Sequence, residues 1–136
     1  MRNSMLLQMG DIIRCWWPND ELGKIPGNKL WPVVFLGYTE RNGVKHIVVA
    51  YGTSQVDTYQ ARNGGDLIKR RRDDSKLLLC SDTLFDFNYL HCLPLNNIFF
   101  CTETVSPLPV SRLREVAVCM HGARVDRALQ GFGVKI

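Results

Sequence analysis

Apolar and polar positions in the first half of the chain fall into short runs rich in β-branched and aromatic residues, separated by turn formers. That is the pattern of strands. Gly10-Asp11 opens the run Ile12 to Trp17, and Pro18 stops it. Turn formers follow in Pro18-Asn19-Asp20 and Pro26-Gly27-Asn28, which predicts a loop. A second strand is expected over Val33 to Leu36, with Pro32 as its first residue. Arg41-Asn42-Gly43 then lies between two β-type runs, and Asn-Gly favours the type I′ turn of a tight hairpin. The returning strand is His46 to Tyr51, ended by Gly52. Three strands with short connections predict an antiparallel meander, the start of a barrel or half-barrel.

The second half is less regular. Thr53 to about Asp74 is polar, contains Asn63-Gly64-Gly65, and reads as a long loop of the kind that is usually functional or mobile. Leu77 to Cys80 and Asn97 to Cys101 read as two further short strands. Between them Leu84 to Phe87 is mixed, and Leu93-Pro94-Leu95 marks a turn. The period then changes. Leu113, Val116, Ala117 and Met120 fall at helical spacing, with Ser111 as N-cap and Gly122 as stop. A shorter helix is expected from Ala123 to Gln130, ended by Gly131. The whole chain, residues 1–136, is expected to form one domain that is mainly β with a C-terminal helical segment.

Composition narrows the class without naming a function. Hydrophobic residues make up 46% of the 136, enough for an ordinary globular core. No apolar run reaches the roughly 18–20 residues that a membrane span needs. Met1 to Met9 is too short and mixed for a signal peptide, so a soluble, cytoplasmic protein is expected. The five cysteines are scattered without CxxC spacing, which suits free, buried thiols in a reducing compartment.

Seventeen basic residues stand against thirteen acidic ones, a net charge of +4. Their distribution says more than the sum. Lys69-Arg70-Arg71-Arg72 forms one block, and Arg112, Arg114, Arg124 and Arg127 form a second cluster. Each alone reads equally as a solvated surface; together they suit phosphate contacts.

Common enzyme signatures are missing: there is no phosphate loop, GxGxxG, HExxH or GxSxG. His46, His91 and His121 share no ligand spacing, and no metal or cofactor is implied. The segment with chemical content is Tyr51-Gly52-Thr53-Ser54-Gln55, which places two hydroxyls and an amide at the end of a strand. There they form either an ordinary polar turn or one wall of a cleft that binds phosphate or base edges.

Four stretches together resemble the PemK/MazF toxins of type II toxin–antitoxin systems, in particular a longer PemK-like branch. The first three are Gly10 to Ile13, Trp31 to Gly37 and Val48 to Gln55. The fourth begins Asp82-Thr83-Leu84-Phe85-Asp86 and continues through Leu93-Pro94 to Phe99-Phe100. The resemblance covers about Gly10 to Leu113 and implies an SH3-like antiparallel barrel, usually a homodimer, that binds single-stranded RNA near the dimer groove. It implies a metal-independent endoribonuclease in which the substrate's own 2′-hydroxyl attacks the adjacent phosphate. An antitoxin segment would neutralise it by lying over the same groove.

By that resemblance Thr53 and Ser54 stand near the scissile phosphate, and Gln55 beside them contacts RNA. The arginine that normally precedes the second-strand proline is replaced by Trp31. Tryptophan cannot offer the charged fork of guanidinium, and Lys29, two residues earlier, is the nearest source of charge. Trp31 reads either as a packing aromatic or as a platform for an unpaired base. His46 and the block Arg70, Arg71 and Arg72 are further candidates for RNA contact. Two functional classes follow: a ribonuclease toxin, or a catalytically degenerate barrel that regulates by binding a protein or nucleic acid, host- or phage-encoded.

Overall fold

Strand-forming runs separated by turns assemble here into one antiparallel sheet. A computed structural model of the protein describes residues 7–19, 25–55, 67–70, 83–106 and 124–134. Six strands are seen: β1 (Ile12–Trp16), β2 (Leu30–Arg41), β3 (Val44–Thr53), β4 (Leu67–Arg70), β5 (Thr83–Pro94) and β6 (Phe100–Ser106), followed by helix α1 (Val125–Gly131). Their spatial order is β4-β5-β3-β2-β1-β6, and every ladder is antiparallel. Among the described residues the sheet is open, with β4 and β6 at its edges and no ladder between them. No helix among those residues is long and apolar enough to cross a membrane.

The β2–β3 hairpin turns at Asn42-Gly43, with φ of 53° and 77°. Two positive φ values in succession define the type I′ turn expected there. Runs such as Val33–Leu36 and Ile47–Ala50 are continuously apolar because the sheet is buried on both faces. On one face Val34, Leu36, Val48 and Ala50 pack with Phe85 and Phe87 under Val125 and Leu129 of α1. On the other Ile13, Cys15, Val33, Phe35, Ile47 and Val49 lie in a second apolar cluster with Phe99 and Phe100. Each such side chain contributes roughly 2 kcal/mol on burial.

Several expectations are corrected. β2 begins two residues before Pro32, which pairs with Arg14 of β1. The β2–β3 ladder has ended by Val34↔Ala50, so the missing N–H of Pro32 falls where β2 is paired on one side alone. β3 runs on to Thr53, past Gly52. The mixed stretch and the Leu93-Pro94 turn both belong to the twelve-residue strand β5. Lys69 and Arg70, placed in a long loop by the sequence, lie on β4. The strand expected at Asn97 begins at Phe100 instead. α1 starts two residues later than the shorter expected helix and includes Gly131, the residue expected to end it. The strand at Leu77–Cys80 and the helix over residues 111–122 lie outside the described residues.

Candidate nucleic-acid interface

One end of the sheet gathers aromatic side chains on a single face. Side chains two apart on a strand share a face, so Tyr51 and Thr53 of β3 stand together. Extending the Val34↔Ala50 register by three residues brings Trp31 opposite Thr53. Gly52 lies against the Pro32 carbonyl, so the two strands still run side by side past the last ladder pair. Lys29 Nζ lies 5.9 Å from the ring centroid of Trp31, a cation–π contact.

β5 supplies the remaining rings through a bulge. Ala50 pairs with Leu90 but Tyr51 pairs with Asp86, so Phe87, Asn88 and Tyr89 are extra residues on β5. The fully buried Asp86 organises this bulge: its Oδ1 accepts from the Asn88 N–H at 2.8 Å. The bulge sets Tyr89 beside Tyr51, with ring centroids 5.1 Å apart. Trp17 forms the floor, its centroid 5.0 Å from Tyr51, 5.1 Å from Tyr89 and 4.8 Å from His91. Trp17 is only 5% exposed, and its Nε1 is buried without a hydrogen-bond partner among the described residues. Trp31, Tyr51 and Tyr89 are half-buried and form the outer surface of the cluster. Trp31 and Tyr51 lie 6.4 Å apart between centroids.

Thr53 sits beneath that surface at 2% exposure. Its Oγ1 accepts the Gln55 N–H at 3.1 Å, and its side chain bonds the hydroxyl of Tyr51. Burial raises the Tyr51 phenol above its ordinary value, with the Thr53 bond opposing and the nearby Tyr89 adding to the rise. Ser54 and Gln55 follow on the surface, both exposed.

The predicted residues thus divide. Lys29, Trp31, Thr53, Ser54 and Gln55 come to one end of the sheet. Arg70 lies on β4 opposite Thr83, with its backbone one strand from the Thr53–Leu84 pair. His46 lies at the other end of β3, with its Nδ1 2.9 Å from the Val44 carbonyl oxygen. Seven residues of strand, roughly 23 Å, separate it from Thr53. Arg71 and Arg72 lie outside the described residues. Among those residues no three His, Cys, Asp or Glu side chains gather as metal ligands.

Sequence reasoning gave Tyr51, Tyr89, His91 and Trp17 no role. The i, i+2 spacing of Tyr51 with Thr53, and of Tyr89 with His91, is the signal that would have paired them. The bulge that joins the pairs has no such signal. No protein-family model matches the chain, and a search of the curated proteins finds no match to it.

Proposed function

We propose that this chain is a PemK/MazF-like domain that binds single-stranded RNA on the Trp31–Tyr51–Tyr89 face, with base stacking in the place of the usual second-strand arginine. The observation that carries the reading is the set of three half-buried rings with an ammonium group, Lys29, over one of them. Partly exposed aromatic rings can stack face to face on unpaired bases whatever their identity, and a neighbouring cation attracts the phosphates. Bulges in the β2–β3 and β3–β5 ladders bend strands in the way that closes a sheet, which supports reading it as part of an SH3-like barrel.

Cleavage is the second reading, favoured by the phenol of Tyr51 and the ammonium of Lys29 at one end of the sheet. A proton donor and a cation are two of the groups that phosphodiester transfer needs. One experiment addresses both readings: a labelled single-stranded RNA is mixed with purified protein in EDTA, followed by fluorescence anisotropy and then by gel. Binding that Trp31→Ala weakens by roughly tenfold or more supports the interface, since one stacked base is worth about 1–3 kcal/mol. Shortened RNA in the gel adds catalysis. No binding by the unmutated chain overturns the reading.

A further inference from the structure

The basic block that begins at Lys69 enters the sheet on β4, and the ladders sort its first two residues. Residues paired across a ladder share a face, and the face alternates along each strand. Lys69 pairs with Leu84 of β5, which pairs in turn with Thr53 of β3. That row belongs to the face of Tyr51, which stands two residues from Thr53 on β3. Arg70 pairs with Thr83, one position on, and so belongs to the face of Phe85, where α1 packs. Of the two, Lys69 is the one registered with the aromatic face.

The rings of that face, Trp31, Tyr51 and Tyr89, lie on β2, β3 and β5, which are neighbours in the sheet. β4 is the next strand beyond β5. Lys29 stands over Trp31 on the β2 side. A line drawn across the strands thus meets a lysine, three rings and the register position of a second lysine. Four strands side by side span roughly 14 Å, which about four stacked nucleotides cover. Asp86 shares a row with Tyr51 but is fully buried, so it presents no carboxylate to a phosphate.

We propose that single-stranded RNA crosses the strands of this face instead of running along them, with phosphates at Lys29 on one flank and at Lys69 on the other. The inference rests on the RNA reading above. Rings hold bases whatever their identity, and a cation on each flank fixes the course of the backbone.

The test measures affinity for a short labelled single-stranded RNA over a range of salt concentrations, with circular dichroism to verify folding. The logarithm of the binding constant falls with that of salt, and each phosphate contact to a single strand adds about 0.7 to the slope. Lys29→Gln and Lys69→Gln are each expected to lower the slope by about 0.7. Arg70→Gln lowers it by less, and Lys69→Arg keeps it. Lys45→Gln removes the same charge at the hairpin end and leaves the slope unchanged. A second measurement needs no variant: bound RNA protects Lys29 and Lys69 from amine acetylation, read by mass spectrometry, and does not protect Lys45. An unaltered slope in folded Lys69→Gln, or acetylation of Lys69 as fast with RNA as without it, overturns the proposal. The RNA reading then stands if Trp31→Ala still weakens binding. An equal drop in Lys45→Gln means that net charge and not position sets the slope, which also overturns the proposal. So does a drop in Arg70→Gln as large as that in Lys69→Gln. No RNA binding by the unmutated chain overturns the RNA reading and the proposal together.

Discussion

At both ends of the β2–β3 ribbon a lysine stands over an aromatic ring, that of Tyr38 itself at the hairpin end and that of Trp31, beside Tyr51, at the other, but the two tyrosine hydroxyls are held differently. At the hairpin end Lys45 Nζ lies 4.7 Å from the ring centroid of Tyr38, which packs 4.8 Å from Phe35. The Tyr38 hydroxyl accepts the N–H of Leu7 at 2.7 Å, a residue distant in sequence. A backbone donor must be satisfied somewhere, so this phenol ties down the segment before β1. At the other end the Tyr51 hydroxyl is held by Thr53, a residue of its own strand. The same residue types thus tie down a distant segment at one end and join an aromatic cluster at the other.

Two glycines mark the same two ends, and their replacement sharpens the contrast. A Cβ on Gly52 would collide with the Pro32 carbonyl and stand 2.8 Å from the Phe85 ring. Gly52→Ala is expected to cost about 3 kcal/mol of stability, read from urea unfolding. A cost below about 1 kcal/mol would mean that β2 and β3 do not approach so closely at the aromatic end.

Gly43 has nothing within 4 Å of an added Cβ, but its φ of +77° disfavours any L side chain. Gly43→Ala is expected to cost about 1 kcal/mol through the backbone alone. The same urea experiment checks it, and a loss as large as that of Gly52→Ala would erase the distinction between the two ends.

The smallest effect concerns alkaline pH. Burial raises the Tyr51 phenol above its ordinary 10.0 and the Cys92 thiol above 9.0, the latter opposed by Arg41; burial also raises the Cys15 thiol. The unfolded chain therefore loses these protons first, and the folded state binds more protons through the interval. Stability from these groups is fully present below about pH 9 and is lost as pH rises through the folded-state values. Urea midpoints measured from neutral pH upward should fall beyond about pH 9, and Tyr51→Phe should remove the part that begins near about pH 10. A flat profile would mean that these groups are not shielded from water.

Some of this was legible beforehand. The hairpin was, because a type I′ turn needs two positive φ values and Asn42-Gly43 supplies them locally. So was the nearness of Lys29 to Trp31, two residues apart. β5 was not, because its bulge breaks the period: Phe85 and Phe87 face the α1 side, and so do Leu90 and Cys92 beyond it. β4 was hidden for another reason. Its four residues, Leu67–Arg70, have no apolar alternation, and β5 supplies its hydrogen bonds. The shift of Arg70 from loop to strand followed from that pairing.

By itself the sequence determined the mainly β character, and the hairpin and its turn. These depend on side-chain period and backbone preference, which act over a few neighbours. Only the tertiary structure decided that Thr53 is buried beneath Tyr51, that His46 is far from both, and that Trp17, Tyr89 and His91 join Tyr51 in one cluster. Those outcomes depend on the register between β3 and β5, which a three-residue bulge resets and no local pattern encodes.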